Sequence, residues 1–199
     1  MTVHLDAALP ANQDDPEPAS PCDDPPERSQ SDPVAFAGLH VDVALSASIA
    51  DRVDSSGVAW LIEHSRKTGQ ELALQGELRV RIVGDAEMAA MHERHLGDPS
   101  TTDVMTFDLS EGAAVRNGTL DVDVLACIDE ADRRAKDLGH PVERELLLYV
   151  VHAILHCLGH DDHDEASYAR MHAREDEILE RIGVGRTFAV ELRDRSASS

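Results

Sequence analysis

The sequence predicts an α+β fold: a single domain with a short mixed β-sheet packed with helices, and a central helix that carries an HxxxH pair. Three observations predict it. Short alternating stretches such as LHVDVAL and ELRVRIV show the period-two pattern of strands with one buried face. Between them lie stretches with helical spacing. One run, 142–158, is apolar almost throughout and too long for a strand, so it reads as a buried helix. The chain has 199 residues, 42% of them apolar, which suits one domain with a tail and is enough to bury a sizeable core. Only 3% are aromatic, so Leu, Val, Ile and Ala must build that core.

Taken in order, residues 1–35 hold seven of the nine prolines and eight acids against the single Arg28. Such a composition does not offset the entropy of ordering, so this segment reads as a disordered acidic tail. The folded domain is expected over 36–192, with 193–199 frayed. Residues 39–45 alternate as a strand. Residues 49–68 have helical spacing, with Val53, Val58, Leu61 and Ile62 as the inner face, and Gly69 punctuates them. Residues 77–83 read as a strand, and 85–95 as a helix with Asp85 as its cap. Residues 103–109 and 119–128 read as two further strands. Residues 129–138 form a short helix ended by Gly139, which suits a left-handed C-terminal cap. Pro141 can occupy the first position of the next helix, where its missing N–H is not needed. Gly159 ends that helix, and 166–182 is a more exposed one.

The formal net charge is −21, and about −14 remains once the tail's eight acids and one Arg are set aside. Such a chain repels polyanions at long range, which argues against non-specific coating of DNA or RNA. No DNA partner is expected, and any contact with nucleic acid must use a local basic strip or a metal ion. Cys22, Cys127 and Cys157 form no CxxC pair and no even set, so they read as reduced thiols. There is no apolar run of membrane-spanning length and no signal-peptide pattern at the start. A cytoplasmic protein is expected.

The chemistry concentrates in His152–His163, HAILHCLGHDDH. His152 and His156 lie four apart on a helix, so both imidazoles share one face and can converge on one ion. Two histidines inside an apolar helix are hard to explain otherwise, because each ring needs partners for its nitrogens. Gly159 lets the chain double back toward the same ion, offering His160, Asp161, Asp162 and His163. Cys157, one position past His156, points roughly 100° away and reads as core packing. Three protein ligands leave a position for water, as in catalytic zinc sites, whereas a structural site would need a fourth ligand from Cys157 or His163. Imidazole and carboxylate suit zinc, and also nickel, manganese or iron.

The pattern HxxxHxxGxx followed by Asp or His resembles the YbeY family of metal-dependent rRNA-maturation endoribonucleases, whose usual form is HGxLHLxGYDH. A second element agrees: Thr102-Asp103-Val104-Met105-Thr106-Phe107 is similar to the family's TDVLSF. The resemblance runs from about 40 to 183. It implies a metal on His152, His156 and Asp162, zinc first among candidates, with Asp162 standing where the family has its third histidine. His163, one residue further on, is the alternative ligand. His160 takes the family's Tyr position. Ala153 replaces the family's Gly, and Leu96 stands where many members carry an Arg proposed to touch RNA, with Arg94 nearby.

The resemblance implies single-strand-specific endoribonucleolysis in rRNA maturation and ribosome quality control, with rRNA and the small ribosomal subunit as partners. Two other classes compete. The HxxxH…Gly layout is also that of metzincin proteases, but those need a Glu as general base where Ala153 stands. A non-catalytic ribosome-associated factor with a structural metal would need a closed site. Asp103 carries two readings, an acid or orienting group beside the metal, or a turn cap before a strand.

Overall fold

The long apolar run becomes α4 (Val142–Cys157) in the computed structural model, which describes residues 2–3, 38–110 and 117–188. Ten of its sixteen residues are buried, including all of 145–151. Each large apolar side chain taken from water there contributes roughly 1.5–3 kcal/mol, so packing rather than helix propensity holds α4.

Around it the chain runs β1 (Thr2–Val3), β2 (Leu39–Leu45), a 3-10 turn (Ala47–Ile49), α1 (Ser55–Glu71), β3 (Gln75–Val83), α2 (Asp85–Leu96), β4 (Val104–Asp108), β5 (Thr119–Cys127), α3 (Ile128–Leu138), α4 and α5 (Glu165–Arg181). The strands form one mixed sheet in the order β1-β4-β5-β3-β2. β2, β3 and β5 are parallel, β4 is antiparallel to β5, and β1 is parallel to β4. This is the α+β architecture that the sequence predicts.

Strand alternation divides the core between the two faces of the sheet. Val80, Ile82, Val122, Val124 and Val104 join α1, α4 and α5 in the larger cluster. Residues of the opposite parity, Val83, Met105, Leu125 and Cys127, meet Met88 of α2 in the smaller one. The site-bearing helix therefore lies on the larger-core face, with α3 and α5 beside it.

Several boundaries differ from the sequence reading for local reasons. α1 begins at Ser55 rather than at 49, because the Asp54 carboxylate accepts the Gly57 N–H at 2.8 Å and caps the helix there. Ile49 and Val53 are still buried, but from the connection that precedes the helix. Gly84, not Asp85, occupies the N-cap of α2. Asp85 is the first helical residue, and its N–H donates to the Asp129 carboxylate at 2.7 Å. Pro141 is likewise the N-cap of α4 rather than its first residue. The sequence reading has no strand at Thr2–Val3, which is too short to show an alternation. The rest of the expected tail, and the frayed 193–199, lie outside the described residues. Among the described residues no helix is long and apolar enough to cross a membrane.

Gly76 sits in β3 at φ +107, and a Cβ there would come 2.2 Å from the Leu120 carbonyl oxygen of β5. Neither the conformation nor the gap suits an L side chain. Gly76→Ala is expected to destabilise the protein by about 2 kcal/mol or more, seen as a lowered urea midpoint at unchanged slope.

Candidate metal centre

His152 and His156 stand one helical turn apart on the partly exposed stripe of α4. The two rings meet nearly at right angles, with 4.5 Å between their centroids, and their Nε2 atoms lie 3.0 Å apart. What surrounds the other nitrogens decides what those two atoms are. His152 Nδ1 lies 2.7 Å from Glu175 Oε1, and His156 Nδ1 lies 3.1 Å from the His160 carbonyl oxygen. A carboxylate and a carbonyl can only accept, so each Nδ1 carries the hydrogen. In the neutral rings both Nε2 atoms then present lone pairs to each other. Burial, and next the neighbouring His152, push the His156 pKa below its ordinary value, so a proton on His156 Nε2 is a poor remedy for that repulsion.

The third donor comes from the turn that ends α4. Leu158 is the C-cap, Gly159 is left-handed at φ +87, and the chain reverses there. The Gly159 N–H bonds to the His156 carbonyl at 2.9 Å and the His160 N–H to the Leu155 carbonyl at 3.0 Å, a Schellman pair. Beyond it, Asp161 accepts the N–H groups of Asp162 and His163 at 2.8 and 3.3 Å, which fixes the loop. The Asp162 carboxylate then lies 3.7 Å from His156 Nε2 and 3.8 Å from His152 Nε2. The donor atoms of His152, His156 and Asp162 all fall within 4.8 Å of one another, a group able to hold one ion. Two lone pairs and a carboxylate converging this closely fit a divalent cation.

His163 is mostly exposed and pairs through Nδ1 with Asp161. His160 contributes its backbone carbonyl, not its ring, to the ordering of His156. Cys157 packs against the core, and burial pushes its thiol up to about 12, so it supplies no ready thiolate. A second group, Asp85, Cys127 and Asp129, is also closely spaced. There Arg133 forks onto Asp85 at 2.8 and 2.9 Å and Arg52 pairs with Asp129, so arginines already neutralise it.

The histidine face opens into a cleft of about 510 Å³. Asp103 is on its wall, just before β4. Asp103 Oδ1 accepts from the Val104 N–H at 2.8 Å and from the Thr102 hydroxyl at 3.0 Å. The carboxylate thus forms the turn and lines the cleft as well. Leu96 packs into the smaller core cluster, and neither it nor Arg94 lines this cleft. Arg134 of α3 is the guanidinium that does.

Glu175 is absent from the sequence reading, although its side chain is only 1% exposed. It accepts from His152 Nδ1 and, through Oε2, from His172 Nδ1 at 2.6 Å. Burial alone would raise its pKa, but the hydrogen bonds from His152 and His172 outweigh it and hold the carboxyl below the ordinary range. A signal for it existed in the sequence. Met171, Glu175, Ile178 and Leu179 share the buried stripe of α5, so an acid stands where the amphipathic pattern wants an apolar residue. Tyr149, also on the cleft wall, is 5% exposed, and its hydroxyl has no hydrogen-bond partner among the described residues. Burial, then Glu145, Asp103 and Glu130, push its pKa upward, so it stays a neutral phenol.

With the fold and these residues in place, comparison with known proteins is direct. The family model described as Endoribonuclease YbeY matches residues 47–183, most of the chain. The chain belongs to the YbeY family. Among YbeY relatives, Endoribonuclease YbeY of Acidothermus cellulolyticus is 37% identical over 115 residues, covering 52% of this chain and 68% of its own. Endoribonuclease YbeY of Macrococcus caseolyticus is 34% identical over 116 residues, covering 56% and 75%. The solution structure of TM1509 from Thermotoga maritima aligns at a TM-score of 0.48 and 20% identity, over 71% of this chain and 91% of that one. The matched YbeY segment contains both histidines, Asp162, Glu175 and Asp103.

Glu175→Gln keeps the shape but offers only one accepting oxygen to two Nδ1–H groups. It is expected to weaken divalent-metal affinity by about 10- to 100-fold in a competition titration against a chromophoric chelator. An unchanged affinity would show that Glu175 serves packing alone.

Proposed function

We propose that this chain is a metal-dependent endoribonuclease that cleaves single-stranded RNA in rRNA maturation and ribosome quality control. Its metal is a divalent ion, zinc first, held by His152, His156 and Asp162. The single observation that carries the metal assignment is the pair of Nε2 atoms 3.0 Å apart, each on a ring whose Nδ1 is committed to an acceptor. The endoribonuclease activity and its RNA substrate are brought to this chain from the family to which it belongs. A divalent ion in such a site supplies Lewis acidity, drawing charge from a phosphate oxygen and lowering the pKa of water.

The protein's own residues have separable roles in this reading. Glu175 and the His160 carbonyl hold the two rings in one tautomer and orientation. Asp162 adds the anion that balances part of the ion's charge. Asp103 is assigned the acid–base or orienting place on the cleft wall: both described hydrogen bonds to its carboxylate fall on Oδ1, which leaves Oδ2 to the cleft chemistry. Residues 36–192 form the hydrolase domain, with the acidic tail before it. The partners are rRNA and the small ribosomal subunit, and the compartment is the cytoplasm. The protease alternative gains nothing from the structure, because Ala153, where the Glu would stand, is fully buried and does not line the cleft.

Protein purified without a histidine tag and stripped by a strong chelator is expected to lose cleavage of a single-stranded RNA, and to regain it with about one equivalent of zinc. Cleavage that survives complete metal removal would refute the reading. Asp162→Ala is expected to weaken metal binding strongly, and His163→Ala to change it about 10-fold at most. The reverse order, read in metal titrations of the two variants, would move the third ligand to His163.

A further inference from the structure

We propose that the exposed ring of Tyr168, backed by His172 and Phe188, is a stacking platform for an unpaired nucleobase of the RNA held in the cleft. This inference rests on the ribonuclease reading and names how that substrate is held.

The charge of the cleft raises the problem that the platform solves. Among the described residues, Asp103, Glu130, Glu145, Asp162 and Glu175 line it against the single guanidinium of Arg134. Proteins that grip nucleic acid through its phosphates do so with several lysines and arginines, whose binding releases counterions. Among the described residues the cleft offers no such row, and the chain's charge of −21 works against one. Affinity for single-stranded RNA must come largely from another source. Every base has a π-face, and base–aromatic stacking is the strong alternative.

The rings are placed for it. Three of the chain's six aromatic residues, Tyr149, Tyr168 and Phe188, line this cleft. Tyr168 is 51% exposed, one of two large hydrophobic side chains so open among the described residues. His172 meets it edge to face, with ring centroids 4.0 Å apart at 89°, and stacks on Phe188 at 3.7 Å and 26°. The backing rings are anchored. His172 Nδ1 bonds to Glu175, and the buried Asp176 accepts the N–H groups of Thr187 and Phe188 at 2.6 and 3.0 Å. Tyr168 itself stands in the first turn of α5, its N–H on the Asp164 carbonyl at 2.8 Å, beside the Asp164–Ser167 capping box. An open ring on an anchored backing loses little freedom when a base stacks on it. It also prefers single strands, since a paired base keeps its faces inside the duplex.

Fluorescence anisotropy with a labelled 2′-O-methyl oligoadenylate, and with an abasic phosphate chain of equal length, tests the platform on the zinc-loaded protein. Wild type is expected to bind the oligoadenylate more tightly than the abasic chain, with a log–log salt slope no steeper than about −1.5. Tyr168→Ala is expected to weaken oligoadenylate binding roughly 5- to 100-fold and leave the abasic chain unchanged, while Tyr168→Phe behaves as wild type. For RNA cleavage the Ala variant should raise KM with kcat and zinc content unchanged. Equal binding by the Ala variant, equal binding of the two chains by wild type, or a steep salt slope would overturn the proposal. If RNA is cleaved and Tyr168→Ala leaves KM unchanged, the platform falls alone. If no RNA is cleaved yet oligoadenylate binding still depends on Tyr168, the ribonuclease reading falls and the platform stands.

Discussion

A negative charge buried between α4 and α5 sets the geometry of everything around it. The Glu175 carboxylate is out of water, and an isolated ion there would be too costly to keep. It remains charged because two Nδ1–H groups meet its two oxygens, one from His152 on α4 and one from His172 on α5 itself. The bond to His152 ties the two helices together beside their apolar contact. It also leaves His152 Nε2 bare and aimed at His156. The bond to His172 turns that ring so that one face rests on Phe188. One buried acid thus ties together the tautomer of His152, a helix contact and the cleft's aromatic wall.

The electrostatics of the cleft follow from the same economy. Most of its charged groups are acids, and its histidines are constrained to donate at Nδ1. A divalent ion held by His152, His156 and Asp162, as proposed, would bring the positive charge that the described side chains of the cleft lack. The protein's overall acidity then works as a filter. Long-range attraction to polyanions is absent, so binding depends on contacts made at short range.

Much of this was legible in the sequence, and the omissions have physical causes. The buried helix and the histidine pair were readable because both depend on local spacing, which a linear chain displays directly. Strand positions were readable for the same reason, and β2 coincides with its alternating stretch. The start of α1 was misplaced because Ile49 and Val53 carry the apolar signal of a helix while packing from a connection, and the Asp54 cap decides the boundary. Glu175 shows in the sequence only as an acid on the apolar stripe of α5; what it binds, His152, lies 23 residues away, and no local period reports that contact. The sequence allows Asp103 two readings, and its carboxylate makes the turn and also lines the cleft.

The Schellman turn at Gly159 has a consequence for how such a site can diverge. Two main-chain bonds close the end of α4, and another main-chain carbonyl orients His156. The path of the loop to residue 162 is therefore written in backbone, with Asp161 holding its start. The side chain at 162 is a passenger on that path. An imidazole can replace a carboxylate there without a new loop, and the exchange alters the net charge and hardness of the donor set. With a metal held as proposed, its preference could drift through that one codon while the fold stays fixed, whereas a single inserted residue ahead of it would carry the side chain at 162 away from the two histidines.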